Sequence, residues 1–172
     1  MSRNSLTRTA LMEEIAAFRA QQQTLLLATC SEQGQLLNSY APFVETKTAQ
    51  FYLLLSDMAE HSQNLHYHEH TQTLFSIMLI EDEAACRNVF ARKRLTYQCR
   101  VQRINREQSK WQPAIETLQQ KFGKTIELLS SLADFNLYFL TPQTGNYVRG
   151  FGQAYPLDSE GVPVIEHPVI EQ

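Results

Sequence analysis

The sequence first suggests chemistry at three consecutive cations, Arg92, Lys93 and Arg94. Residues 95–101 follow them, with apolar and polar side chains alternating as in a half-buried strand. At the rim of a barrel, three such charges suit an anionic ligand that carries a phosphate or a carboxylate. The alternative is a solvated charge run that balances the acidic residues 81–83, because surface charges usually serve no specific site.

A second concentration of reactive side chains lies in residues 58–70, which hold four of the five histidines. The segment is predicted to be a short helix, on which His66 and His70 share a face. A metal site needs a third ligand and partners that orient the ligands. Glu69 is available, but no HExxH motif is present, so the sequence favours a solvated polar helix over a metal site.

Short strands and a few helices must position these residues. Strands are predicted over 24–30, 36–45, 51–56, 73–80, 95–101, 135–140 and 146–151, and helices over 9–22, 58–70, 107–122 and 125–132. The first strand is apolar enough to be buried on both faces. Pro42 lacks a ladder donor and is expected at an edge, a bulge or a bend. Residues 142–145 predict a hairpin turn between the last two strands.

This order of elements predicts a mainly β protein with helices, an antiparallel barrel with the helices packed outside. The 172 residues fit one domain, which we place at residues 1–156. Residues 157–172 are expected to form a flexible tail, because the sequence there is rich in proline and lacks periodicity. Barrels that are incompletely closed often dimerise to cover the open side, so a homodimer is expected.

Composition and charge exclude several classes of function. The net charge is −3, which gives no electrostatic case for binding nucleic acid or a membrane surface. No apolar run approaches the ~20 residues that span a bilayer, and the N-terminus does not resemble a signal peptide. The three cysteines form no CxxC motif and are interpreted as reduced thiols, with Cys99 in the core. A cytoplasmic protein is therefore expected.

Several segments together resemble one family. They are TLLLATCSEQGQLLNSYAPFVE, FYLLLSDMAEHSQNL, SIMLIEDEAACRNVFARKRLTYQCRV and LADFNLYFLTPQTGNYVRGFGQAY, with FARKRLT and GFGQAY the most specific phrases. The chain resembles the haem-utilisation proteins of the HutZ/HugZ type, in the pyridoxamine 5′-phosphate oxidase-like, FMN-binding split-barrel superfamily. The resemblance implies a homodimer of six-stranded antiparallel split barrels with flanking helices. It also implies that haem binds at the dimer interface and is degraded, with an electron donor, to release iron.

The resemblance carries over to named residues. Asp134 matches an aspartate that hydrogen-bonds the haem-ligating histidine of the other protomer, which orients the ligand and raises its basicity. Thr29 matches a threonine close to that aspartate, and Arg94 matches an arginine near the haem, suited to a propionate. Without such roles, Asp134 caps the beginning of a strand, Thr29 is strand filler, and Arg94 pairs with an acidic residue. The catalytic candidates are Asp134 and Arg94; the cofactor-binding candidates are His167, Arg94, Thr29, Arg92 and Lys93.

The C-terminus departs from the family pattern. The family's iron ligand is a histidine in the tail, commonly followed by basic residues. Here the tail histidine is His167, and the usual ligand position falls near Gln172, with no basic residues after it. Either His167 takes over as the ligand of the haem iron, or this member has lost axial ligation by the tail.

Two other functions compete with haem degradation. In an FMN-binding split-barrel oxidoreductase, the cations 92–94 would hold the FMN phosphate together with Ser56 and Asn64. A yellow protein as purified would favour that function. In a non-catalytic haem carrier or storage protein, the same ligand would bind haem without releasing iron. The sequence does not separate a carrier from a degrading enzyme, because both need that ligand.

Overall fold

The computed structural model describes residues 7–46 and 49–164. In chain order the elements are α1 (Arg8–Gln21), β1 (Thr24–Cys30), β2 (Leu36–Pro42), β3 (Val44–Thr46), β4 (Gln50–Ser56), α2 (Glu60–Thr71), β5 (Phe75–Ile80), a 3₁₀ turn (Val89–Ala91), β6 (Arg94–Ile104), α3 (Trp111–Phe122), α4 (Lys124–Ser131), β7 (Phe135–Gly150) and β8 (Gln153–Leu157). The structure thus contains the mainly β fold with flanking helices that the sequence predicts.

One bent strand closes the sheet into a barrel. The strand order is β2-β1-β5-β6-β7-β4-β3, and β8 pairs with β7 outside this path. Only Phe43 separates β2, which pairs with β1, from β3, which pairs with β4. The two are halves of one strand, so the barrel has the six antiparallel strands expected of it. Pro42 ends β2 at the bend, as predicted.

The predicted hairpin at residues 142–145 is wrong, because β7 runs through it as one strand. β6 pairs along the whole of this region, with β4 beside the first part of β7 and β8 beside the second. A register shift leaves Gln143 as an extra residue, and this bulge accommodates the missing donor of Pro142. Gly145 serves a close approach instead of a turn, since a Cβ there would lie 2.5 Å from the Tyr97 ring.

The strand β1 is buried on one face only, contrary to its predicted burial on both. Leu25, Leu27 and Thr29 are buried, whereas Leu26 is 41% exposed. Leu26 lies with Tyr40 in an outer depression of about 570 Å³, lined by residues of β1, β2, β5 and β6. The strand is apolar throughout because its outer face is also apolar, although none of the described residues covers that face.

Two apolar clusters form the core. One fills the barrel and includes the buried face of α1, formed by Leu11, Ile15 and Phe18. The other lies outside the barrel, where α3 and α4 pack against strands β3, β4 and β7. Gly123, at φ 69°, ends α3 as predicted and lets α4 follow directly.

The described part of the predicted tail folds back onto the sheet. β8 pairs with β7 and buries Tyr155. The N–H of Val164 donates to the carbonyl of Pro156 at 2.9 Å, after a tight turn. Residues 165–172 lie outside the described range. None of the helices in the described residues is long and apolar enough to cross a membrane.

Candidate functional site

Two of the three cations form ion pairs with glutamate side chains. Arg92 donates from Nη1 to Glu83 Oε1 at 2.8 Å and from Nε to the carbonyl of Glu81 at 2.9 Å. The backbone N–H of Lys93 donates to the Glu81 carboxylate, and Lys93 Nζ lies 3.5 Å from Glu14 Oε1. Arg92 therefore pairs with the acidic residues 81–83, whereas the ammonium group of Lys93 pairs with Glu14 of α1.

Arg94 is placed differently from its two neighbours. Within the described residues no carboxylate lies within ion-pair distance of its guanidinium, whose Nη1 donates to the carbonyl of Arg92 at 3.4 Å. Arg94 lines a cleft of about 180 Å³ with Phe90, Phe151 and other residues of β7 and β8. The two aromatic rings are 81% and 68% exposed. The fold thus brings the FARKRLT and GFGQAY phrases to one cleft, where two exposed aromatic residues lie with a cation that has no carboxylate partner among the described residues.

Asp134 lies at the opposite end of the barrel, at the beginning of β7. Ser56 Oγ donates to Asp134 Oδ2 at 2.6 Å. The carbonyl of Asp134 accepts from the N–H of Asp57 at 2.8 Å and from Asn136 Nδ2 at 3.3 Å. Within the described residues Asp134 Oδ1 has no hydrogen bond, so a well-held carboxylate keeps one oxygen available to another donor.

Thr29 anchors a helix to the barrel. Its hydroxyl is buried and accepts a hydrogen bond from Asn64 Nδ2 of α2 at 3.1 Å. Thr29 therefore has a definite structural role, and its hydroxyl oxygen is already engaged within the chain.

In one chain, Ser56 and Asn64 lie with the α2 end of the barrel and away from the cations 92–94, so the FMN phosphate set is not assembled within a protomer.

The histidine-rich helix is less solvated than the sequence predicts. His68 is buried, its Nε2 accepts from the Cys30 N–H at 3.2 Å, and its Nδ1 lies 3.0 Å from Thr73 Oγ1. Nε2 is thus an acceptor and Nδ1 carries the proton. His66 bonds to Asp57 at 3.3 Å. The described residues contain no group of three side chains that could hold a metal ion.

A large apolar cavity lies beside Asp134, and the sequence indicates two of its lining residues, Ser56 and His61, but not the cavity itself. Its volume is about 550 Å³, and it lies between the bend of the closing strand, the end of β4, the beginning of α2, and α3 with α4. It is lined by Ser56, which donates to Asp134, and by Phe135, which follows Asp134 in the chain. His61 is the imidazole in its wall, and burial lowers the pKa of that side chain.

The two catalytic candidates lie far apart in one chain. Arg94 pairs with Val148, whereas Ile104, at the other end of β6, pairs with Leu137. Asp134 precedes Leu137, beyond the end of this ladder. At about 3.3 Å per residue, the ladder from Arg94 to Ile104 alone spans roughly 33 Å along β6, and Asp134 lies three residues beyond its end. One protomer alone cannot bring both residues to one ligand.

His167, predicted as the iron ligand, lies in residues 165–172, outside the described residues. Its role stays a prediction.

The chain is similar in sequence and structure to known proteins of one family. A sequence model of the pyridoxamine 5′-phosphate oxidase family matches residues 11–149. The heme oxygenase HutZ of Vibrio cholerae is 40% identical over 157 residues, covering 91% of this chain and 86% of HutZ. The crystal structure of HutZ from Vibrio cholerae, described there as a heme storage protein, has a TM-score of 0.70 and 39% identity, covering 77% of this chain and 90% of that one. The crystal structure of Campylobacter jejuni ChuZ has a TM-score of 0.81 and 28% identity, covering 91% of this chain and 63% of that one.

Proposed function

Since the chain belongs to the pyridoxamine 5′-phosphate oxidase family and to its HutZ branch, we propose that it is a haem-binding protein of haem utilisation. We further propose that it acts as a homodimer that degrades haem, using oxygen and an external electron donor, to release iron. The observation that carries the haem site is the cleft of Arg94, where a cation without a carboxylate partner in the described residues shares the lining with two exposed aromatic residues.

The residues present suit a haem. Its propionates are carboxylates, which a guanidinium such as that of Arg94 binds by charge-assisted hydrogen bonds. Its ring is planar and apolar, and the exposed faces of Phe90 and Phe151 match it. Bound haem supplies the iron centre at which oxygen is activated. Asp134 would accept a hydrogen bond at its available Oδ1 from the ligating imidazole, which we assign to His167.

A second copy of the chain would complete the site. Because Arg94 and Asp134 lie at opposite ends of β6 and β7, a ligand that contacts both must draw them from two chains. The uncovered apolar face around Leu26 and Tyr40 is the surface that we assign to this dimer, since a stable interface needs an apolar centre. Each dimer would then hold two equivalent haem sites.

The first test is a titration of the apo-protein with hemin, followed by the Soret band. We expect saturable binding by the wild type and a dissociation constant about tenfold or more higher for Arg94→Ala, since a charge-assisted bond to a propionate is lost. Arg87→Ala removes an exposed cation from the preceding loop and is the matched control. Equal affinities in all three proteins would remove Arg94 from the site, and no binding by the wild type would refute the haem function.

A second measurement separates degradation from storage. The haem-loaded protein is given ascorbate in air, and ferrous iron is collected with a chromogenic chelator. Loss of the Soret band together with one iron released per haem is the expected result. A Soret band that persists while the protein stays loaded would identify a carrier or store.

Flavin binding is the second candidate, favoured by the match to the pyridoxamine 5′-phosphate oxidase family model. It predicts a yellow protein whose FMN absorbance co-purifies and whose FMN affinity depends on Arg94. In the dimer proposed above, cations of one chain could meet Ser56 of the other. Titration of the apo-protein with FMN distinguishes this function from haem binding, because the two ligands absorb at different wavelengths.

A further inference from the structure

The carboxylate of Asp134 depends on one side chain for its orientation. Asp134 lies in the turn between α4 and β7, so neither a helix nor a strand ladder fixes its backbone. Its carbonyl oxygen accepts from the Asp57 N–H at 2.8 Å and from Asn136 Nδ2 at 3.3 Å, and these bonds anchor the main chain. Among the described residues, the hydrogen bond to its carboxylate comes from Ser56 Oγ, at 2.6 Å. The direction in which Asp134 presents its carboxylate is therefore set by Ser56.

The hydroxyl of Ser56 is itself held in place. Its oxygen accepts the N–H of Met58 at 3.2 Å, and its single proton goes to Asp134 Oδ2. The main chain of Ser56 is fixed as well, because this residue ends β4, pairs with Phe135 and accepts the Ala59 N–H at 3.1 Å. A separation of 2.6 Å lies in the range of about 2.5–2.7 Å for O–H donors on carboxylates. Ser56 is thus a rigid and strong donor to one carboxylate oxygen.

This bond gives the two oxygens of Asp134 different tasks. Oδ2 is occupied by the serine, whereas Oδ1 has no hydrogen bond within the described residues. Groups that orient the ligands of a metal work because they are themselves fixed, and their loss typically costs about 10–100-fold in metal affinity or activity. Without the Ser56 hydroxyl, the Asp134 carboxylate could rotate and present either oxygen. The serine therefore supplies the order that such an acceptor needs.

We propose that Ser56 is a positioning residue of the haem site, which fixes Asp134 so that Oδ1 receives the N–H of the ligating imidazole. This inference rests on the proposed haem function and adds a residue that acts through Asp134. The competing role for Ser56 is to shape the turn into α2, because its oxygen also accepts the Met58 N–H. The two roles differ in one respect: positioning requires the Asp134 carboxylate, whereas the turn does not.

A double-mutant cycle between Ser56→Ala and Asp134→Ala separates these roles. The haem-loaded proteins are compared by their hemin dissociation constants, from the Soret band, and by the iron–imidazole stretching frequency of ferrous haem, from resonance Raman spectra. We expect Ser56→Ala to raise the dissociation constant up to about tenfold and to lower the stretching frequency, because a less ordered carboxylate leaves the imidazole less basic. In the Asp134→Ala background, Ser56→Ala should change neither quantity.

Two further variants control for the loss of a hydroxyl. Ser56→Thr keeps a hydroxyl at this position and should return both quantities toward their wild-type values. Ser131→Ala removes an exposed hydroxyl that donates to the carbonyl of Leu128 at 2.7 Å, and it is the matched control. Both quantities should be the same in Ser131→Ala and in the wild type.

The outcomes distinguish this inference from the haem function itself. Wild-type affinity and stretching frequency in Ser56→Ala would overturn the inference while leaving the haem function in place. Equal changes in the wild-type and Asp134→Ala backgrounds would also overturn it, because Ser56 would then act through the turn into α2. A haem-loaded wild type without an iron–imidazole band would refute it too, since Asp134 would have no imidazole to orient. A wild type that binds no hemin would overturn both proposals.

Discussion

Gly145 shows that a residue in a segment with turn composition can serve packing inside a strand. Gly145 follows Pro142 in a segment with turn composition, yet it lies in the middle of β7. Its hydrogen atom faces the ring of Tyr97, a fully buried side chain whose hydroxyl accepts from Arg19 Nη1 at 3.4 Å. The ring is held at both ends, so the glycine is required by the space that the ring occupies.

Replacement of Gly145 by alanine tests this packing. The new Cβ would lie 2.5 Å from the Tyr97 ring and 3.1 Å from the carbonyl oxygen of Thr96, so the barrel wall must shift. We expect Gly145→Ala to lower the free energy of unfolding by about 1–3 kcal/mol, the usual cost of overpacking. Gly150→Ala is the control, because the nearest atom to its new Cβ, Gln153 Oε1, would be 3.9 Å away. Urea denaturation of both variants measures the difference, and equal stabilities would contradict the packing role.

At the scale of elements, the sequence predicts most of the fold. Period-2 alternation places β6, and the 3.6-residue stripe with Gly123 places α3 and its end. The sequence misplaces the break in β7, because proline and glycine signal a turn locally, whereas pairing with three other strands decides the outcome. It also overstates the burial of β1. An apolar outer face produces the same sequence pattern whether the chain itself or a partner covers it.

The helix α2 carries a prediction about pH. Burial lowers the pKa of His68 from its ordinary value of 6.5, with a smaller opposing effect of the hydrogen bond to Thr73. The unfolded chain therefore takes up this proton at a higher pH than the folded chain does. It follows that the free energy of unfolding falls as the pH drops through 6.5 toward the lower folded-state pKa. His61 contributes with the same sign.

Urea denaturation between pH 8 and pH 5 measures this effect. We expect the stability of His68→Gln to depend less steeply on pH than that of the wild type. His70→Gln removes an exposed histidine of the same helix and should keep the wild-type slope. A slope that is unchanged in His68→Gln would mean that another group controls the pH dependence.

At the scale of the whole molecule, the sequence identifies candidate residues but does not assemble them. Asp134 and Arg94 follow from resemblance to known motifs, yet their separation depends on β6 and β7 being paired over their full length. The cavity of His61 draws on β2, β4 and α2 and, much later in the chain, on α3 and α4, so no local pattern indicates it. A site built from distant segments of the chain is the part of this protein that a single sequence leaves open.

Mixed dimers test whether the haem site is shared between chains. We expect Arg94→Ala and Asp134→Leu homodimers each to lack a tight hemin site, because every site in them is damaged. In a dimer with one chain of each kind, one site pairs the intact Arg94 with the intact Asp134, and the other is doubly damaged. Co-expression with two affinity tags isolates this species, and hemin titration should find one tight site per mixed dimer against two in the wild type. A mixed dimer without a tight site would contradict the shared site. Each residue would then act in its own chain and at a separate place, because Arg94 and Asp134 lie at opposite ends of β6 and β7.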